Sequence, residues 1–452
     1  MGADRYEAKR PVIEGLCWAG LIAGLSLWLS FAPRNPDVNV VAGVATILFG
    51  VRVFLGHGGS RVTILGLASL ATSMFVGVAG VYAALDPLSR AQNDYLGHAI
   101  LAGLALALLT ALIAWPQVRE ITFQPAPDRV AHWLTLLGGI ALASLIGLQV
   151  VGVGFASWLE GAAFTATVAL AAGILWRANA KLLSPSMVLV VAAFVAYALV
   201  FHTGGGRLRI VALACALAVL VTARFPWKPL KWGIVLATPL ALYVLAQQRL
   251  TLQEQMAGFA TDRNGLESML VPIVNLAVLL KEQAEGMALD FGAHFLSIPA
   301  TFLPASWVGG APPALGYQLV AVQDPSRVGT GFSTAGTIAA EPVYSFGLAG
   351  ILLAAPILAW LFRALDNQIA AIASREHATR GAVLMLVLWV MIGGAVADLA
   401  WSGTHTLVMR TALRLPLWLG LAVLAHLVDR LEGGQRQQRG PKRIIFNEST
   451  VT

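Results

Sequence analysis

Residues 325–347, Pro-Ser-Arg-Val-Gly-Thr-Gly-Phe-Ser-Thr-Ala-Gly-Thr-Ile-Ala-Ala-Glu-Pro-Val-Tyr-Ser-Phe-Gly, place a cation, flexible backbone and a carboxylate in one short stretch of a hydrophobic chain. Glu341 enters an apolar run, with Pro342 behind it and Tyr344 one turn on. An ionisable side chain at the mouth of a membrane segment is costly and is kept for a reason. Two chemistries fit: a general base that takes a proton from a hydroxyl, or a carboxylate that orients the hydroxyl. A solvated glutamate at headgroup level, with Pro342 at a first helical position, fits the same letters. The Gly-Thr-Gly run and Tyr344 favour the functional reading.

Arg207 and Arg209 follow His202-Thr203-Gly204-Gly205-Gly206. Glycines leave amides open at a helix start, and arginines add fixed charge, which together suit a phosphate. Snorkelling to lipid headgroups is the plain alternative. Arg249, Arg263 and Arg327 carry the same argument more weakly. A lone histidine in an apolar segment, such as His294 or His405, is more often packed than reactive. Asp398 lies inside a span, and Arg410 and Arg414 sit one turn apart in the next, so an Asp398–Arg410 pair would neutralise a buried acid. No Walker A, strand-linked GxGxxG, CxxC or HExxH motif occurs, so no metal or cofactor is expected. The driving energy must then come from the substrate, which points to an activated, lipid-linked compound.

The elements that position these residues follow from composition. The 452 residues are 58% hydrophobic and 12% charged, with mean hydropathy +0.75, whereas soluble domains carry about 25% charged residues. The expected fold is an all-α, polytopic integral membrane protein. A span needs about 20 mostly apolar residues. On that rule twelve spans read as 12–31, 37–56, 62–85, 95–115, 130–151, 154–176, 186–202, 207–223, 231–247, 338–362, 381–401 and 408–428. With the N-terminus inside, 20 of the 30 Lys and Arg residues fall on the cytoplasmic side. Both termini are then cytoplasmic, and the +7 charge reflects inner loops and a basic tail rather than nucleic-acid binding. Cys17 and Cys215 lie in apolar runs and give no disulfide framework. The first ten residues read as a charged leader into a retained span.

Four regions result: nine spans over 1–247, a large outer loop over 248–337, three spans over 338–432, and a solvated, disordered tail over 433–452. The loop is too long for a plain connection and should have structure of its own. Residues 264–285 have apolar positions at helical spacing with one polar edge, as in a helix lying at the interface. Residues 288–308, broken by Pro299 and Pro304, read as a re-entrant or interfacial segment.

Many spans with one large, late outer loop resemble the bacterial oligosaccharide repeat-unit polymerases of the Wzy type. Two segments carry the resemblance. Thr203-Gly204-Gly205-Gly206-Arg207-Leu208-Arg209 is similar to that family's Gly/Ser-Arg entry into a span. Gly329-Thr330-Gly331-Phe332, with Glu341-Pro342-Val343-Tyr344-Ser345-Phe346-Gly347-Leu348-Ala349-Gly350, is similar to its Gly-rich turn, acidic residue, Tyr and Phe-Gly before the next span. The resemblance implies a GT-C-like architecture in the bacterial inner membrane, with a periplasmic loop. It implies transfer of an undecaprenyl-pyrophosphate-linked glycan onto the non-reducing end of a lipid-linked repeat unit, alongside a flippase and a chain-length regulator. Glu341 would be catalytic, Arg207, Arg209, Arg249 and Arg327 would hold the pyrophosphate, and Tyr344, Tyr317 and His294 would orient substrate. The O-antigen ligases share the layout but typically depend on a histidine in the large loop. His294, the only histidine there, precedes the Gly-rich turn in an apolar segment, which favours the polymerase. A transporter or flippase of a lipid-linked or polar solute is the reading from another class. It would want charges and broken helices at mid-membrane, whereas Glu160, Asp398 and His98 are the main intramembrane exceptions here.

Overall fold

A computed structural model describes residues 3–33, 35–86, 94–115, 121–152, 156–201, 207–257, 266–300, 302–303, 307, 314–323, 325–329 and 333–438. Within these, the side chains of 3–12, 156, 207, 245, 248–257, 267–270 and 433–438 fall outside the description. The Thr203–Gly206 run, Arg263 and Thr330–Phe332 lie outside the described residues, as do the side chains of Arg207 and Arg249.

The described chain is helical, with no strand. In order it runs α1 (Ala3–Phe31), α2 (Pro36–Gly56), α3 (Ile64–Leu85), α4 (Leu96–Ala114), α5 (Asp128–Val150), α6 (Ala156–Leu175), α7 (Pro185–Val200) and α8 (Arg207–Arg224). It continues with α9 (Lys228–Ala257), α10 (Glu267–Ala284), α11 (Leu315–Gln323), α12 (Ala340–Phe346), α13 (Ala349–Ala373), α14 (Arg380–Ser402) and α15 (Thr404–Gln438). Among the described residues nine helices are long and apolar enough to cross a membrane: α1 to α6 and α13 to α15. The chain therefore has the make-up of a multi-pass membrane protein. Helix α7 is apolar but shorter, at 16 residues. Without a hydrophobic drive between helices in lipid, close backbone approach has to supply association. In the α5–α6 pair a Cβ at Gly138 would lie 2.6 Å from the Leu170 amide nitrogen, so the helices meet backbone to backbone.

A polar clamp orders one end of the bundle. Lys231 of α9 donates to the carbonyl oxygens of His57 (2.8 Å) and Gly59 (3.1 Å), just past the end of α2. Asp366 of α13 accepts from the amides of Ile64 (2.8 Å) and Leu65 (3.4 Å), which open α3. A cation thus meets a helix C-terminus and an anion a helix N-terminus, the favourable sense for both dipoles. His57 Nδ1 lies 2.7 Å from the Thr63 hydroxyl. Burial, with Lys231 and Arg61 nearby, pushes the His57 imidazole down to about 3, so it stays neutral.

The structure departs from the sequence reading around the long loop. The expected 338–362 span is two helices. Gly347, at φ 62°, breaks it, and a Cβ on Gly350 would sit 1.9 Å from the Pro342 carbonyl oxygen. Glu341 therefore stands on a separate turn before the span. Helix α9 runs through residue 257 and shortens the loop. Helix α10 does not spend its apolar stripe on lipid: Ile273, Leu276 and Ala277 are fully buried, and it packs against α3, α4 and α12. Residues 433–438 of the expected tail continue α15.

Asp366→Ala leaves two buried α3 amides without acceptors, an omission that costs about 1–3 kcal/mol for a buried group. The expected outcome is a lowered thermal midpoint of the detergent-solubilised protein; an unchanged midpoint would show that the clamp contributes nothing.

Candidate functional site

At the opposite end, where α13 and α15 begin, Glu341 of α12 meets the start of α15 and the turn that carries His294. The side chain is 5% exposed. Its two carboxylate oxygens accept the Thr404 amide at 2.8 and 2.9 Å, and the Thr404 hydroxyl adds a bond at 2.5 Å. Thr404 is the first residue of α15, so Glu341 reaches across 63 residues of chain to cap that helix. The preceding Gly403 has φ 86°, and a Cβ there would lie 2.5 Å from Glu341 Oε1. Burial pushes the Glu341 carboxyl up from its ordinary value. The Thr404 bonds, the neighbouring His294 and the His405 amide oppose that rise without cancelling it.

His294 is the second member. It is 2% exposed, on a single 3-10 turn, Ala293–Leu296. Its Nδ1 lies 2.7 Å from Asp290 Oδ2, which also accepts the His294 amide at 2.9 Å, while Asp290 Oδ1 takes the Gly292 amide at 2.9 Å. Burial works to raise the Asp290 carboxyl, but these hydrogen bonds outweigh it and hold the group below its usual value. A carboxylate against Nδ1 fixes the orientation of the ring and favours an N–H at that nitrogen. Nε2 is buried and has no hydrogen-bond partner among the described residues.

Tyr344 meets the His294 ring edge-on, centroids 5.5 Å apart, and its hydroxyl donates to Gln318 Oε1. Burial, with Asp290 nearby, pushes the Tyr344 phenol up, so it remains a neutral donor. Tyr317, Gln318 and Tyr344 share a cleft of about 500 Å³ with Glu282, Met287 and Val328. Buried Asn275 of α10 shapes that region: its amide nitrogen donates to Thr334 Oγ1 (2.7 Å) and Ala335 O (2.5 Å), and its oxygen accepts from Gln323 (2.9 Å).

The structure therefore brings together Glu341, His294 and Tyr344, with Tyr317 across the cleft. Among the described arginines, Arg209 is held in a separate network, and Arg327 directly precedes the Val328 that lines the cleft. Arg327 is exposed on the short turn Pro325–Arg327. Arg209 pairs with Glu160 of α6 instead of standing open, and Tyr197 donates to the same acid at 3.5 Å. Beside them Asp398, fully buried, pairs with Arg410 and lies 3.7 Å from Arg414, whose guanidinium stacks on Phe164 at 3.8 Å. The Asp398–Arg410 pair is thus present, and it belongs to a larger network. Three guanidiniums against two carboxylates leave one positive charge in excess. At 1.5 Å per residue, Arg410 lies about 9 Å along α15 from Thr404.

Beyond this network an apolar groove of about 570 Å³ opens between α3, α7, α8, α9 and α14, lined by residues such as Met74, Phe194, Ala214, Ala241 and Val396. Sequence reasoning passed over Asp290, Asn275 and Thr404. The Asp-x-x-x-His spacing of 290–294 is a signal for the first; nothing local marks the other two, whose partners lie about sixty residues away. No family model, no curated protein and no solved structure matches the chain.

The Glu341 shift has a testable sign. A carboxyl raised by burial favours the protonated native state, a contribution fully present below the ordinary value of 4.5 and lost as pH rises through the folded value. Glu341→Gln keeps the neutral shape and removes the titration. The thermal midpoint of the native protein should therefore fall relative to the variant as pH rises above 4.5. A constant difference across that range would show that Glu341 is not raised.

Proposed function

We propose that the protein is a polysaccharide polymerase of the bacterial inner membrane. It joins a glycan carried on undecaprenyl pyrophosphate to the non-reducing end of a lipid-linked repeat unit at the periplasmic face. In this reading the chain makes twelve crossings, both termini are cytoplasmic and the 248–337 region is periplasmic. The observation that carries the proposal is the buried Asp290–His294 pair, whose buried Nε2 has no hydrogen-bond partner among the described residues, beside the buried Glu341 carboxylate at the head of two spans.

The acceptor hydroxyl gives its proton to His294 Nε2 as its oxygen bonds to the anomeric carbon of the donor. The anomeric C–O bond to pyrophosphate breaks, and its electron pair leaves with the phosphate. Asp290 fixes the imidazole and stabilises the imidazolium. Glu341, with both oxygens held by Thr404, takes the acceptor-orienting role and balances the new positive charge. Tyr317 and Tyr344 flank the sugar in the cleft. Positive charge assists the departing pyrophosphate. Arg207, at the first residue of α8, Arg209 through its network, Arg249 and Arg327 are the proposed sources. The apolar groove suits the polyisoprenyl chain of the carrier.

One observation favours a second reading. A histidine in the large loop is also the feature on which the O-antigen ligases typically depend, and His294 with its Asp290 partner stands in that loop. The ligase would move finished glycan onto a lipid A core, and the polymerase would lengthen it on the carrier.

His294→Gln and Asp290→Asn are expected to leave the protein in the membrane while polymer disappears and single repeat units still reach the surface. Loss of a general base costs about 10²–10⁴-fold, so normal polymer length in His294→Gln removes that residue from the mechanism. Polymer confined to the carrier and never joined to core would identify the ligase. Arg207→Ala combined with Arg209→Ala should abolish carrier use; wild-type polymer in the double variant would refute the phosphate assignment.

A further inference from the structure

The stretch that carries His294 has two opposed faces. Phe291 takes φ 50° and Gly292 φ 86°, so the chain reverses over two residues. Asp290 ties the reversal down through the Gly292 and His294 amides. His294 turns inward. Phe291, Leu296, Phe302, Leu303 and Trp307 turn outward and are 74%, 59%, 54%, 44% and 75% exposed. Five large apolar side chains within 291–307 form a surface that water does not favour, and such patches mark a partner.

Contacts fix the height of this surface. The Phe291 amide donates to Ser345 O at 3.1 Å, and its ring meets Phe346 edge-on at 6.3 Å. Ser297–Ala300 packs against α15. Phe346 lies three residues before α13 begins, and the exposed apolar belt of that span opens at once with Leu348, Leu352 and Leu353. Phe291 thus lies at the level where α13, a helix long and apolar enough to span a membrane, starts.

We infer that the side chains of Phe291, Leu296, Phe302, Leu303 and Trp307 are seated in the lipid leaflet bordering this end of the bundle, and that the leaflet is the partner that holds the His294 turn in place. Aromatic side chains favour that depth, where a ring meets both acyl chains and water. A non-glycine residue at positive φ is strained, and burial of the Phe291 ring in lipid offsets the strain. The site then faces the lipid–water boundary, where a headgroup-borne substrate travels in the membrane plane. The inference rests on exposure and position and stands apart from the reaction proposed above.

Spin labels placed by Leu296→Cys, Phe302→Cys and Trp307→Cys, on a Cys17→Ser, Cys215→Ala background in liposomes, test it. Leu352→Cys serves as the lipid-facing control and Glu285→Cys as the aqueous one. The expected result is that oxygen relaxes the three labels more than a water-soluble nickel chelate does, as at Leu352, with the reverse at Glu285. Labels that behave like Glu285 at two or more of the three positions overturn the inference. If labelling disturbs the fold, alkylation of the same cysteines by an impermeant maleimide decides: protection matching Leu352→Cys supports the lipid seat, and reaction as fast as at Glu285→Cys overturns it.

Discussion

The Glu341 carboxylate sits on the N-terminus of α15, and the geometry at this end of the protein depends on that contact. It joins the turn before α13 to the start of α15 through Thr404. It requires glycine at 403 and shapes the local electrostatics, since a buried carboxylate and a buried histidine become neighbours. The same residue is thus structural and electrostatic. A helix N-terminus carries partial positive charge and open amides, so a carboxylate is held there with less desolvation cost than elsewhere in a protein interior.

The bilayer sets the second constraint. Charges within spans have to be paired, and the Glu160–Arg209 and Asp398–Arg410 pairs with Arg414 tie α6, α8, α14 and α15 into one network. The network sits just below the Glu341 level and keeps one positive charge unbalanced. At the other end the Lys231–Asp366 clamp does comparable work with backbone groups alone. The helices are therefore pinned at both ends by polar contacts, while the apolar groove between α9 and its neighbours is left to lipid-like contacts.

Much of this was legible in the chain. Composition and span length lead to a helical, multi-pass membrane protein, and the Asp398–Arg410 pair follows from two charges in adjacent spans. Glu341 also stood out, because a carboxylate beside glycines at the edge of an apolar run is unusual. Its partner was not legible, because Thr404 is remote in sequence and a backbone amide carries no side-chain signal. The break at Gly347 was hidden for a related reason: apolar letters run on either side, and only the approach of Gly350 to Pro342 reveals the turn. Helix α10 looked interfacial because an amphipathic stripe fits lipid and a helical bundle equally well. A lone histidine in an apolar segment is more often packed than reactive, so His294 has a role in the sequence only through the resemblance; Asp290 four residues earlier gives it a partner in the structure.

The reaction proposed for this end of the bundle is transfer of sugar between lipid-borne substrates. Purified protein in liposomes, supplied with oligosaccharide on undecaprenyl pyrophosphate and no other energy source, tests it most directly. The expected result is a ladder of products longer by whole repeats, with undecaprenyl pyrophosphate released in step and neither formed by His294→Gln. Unchanged product size together with counterflow of labelled solute across the vesicle membrane would contradict it and identify a transporter.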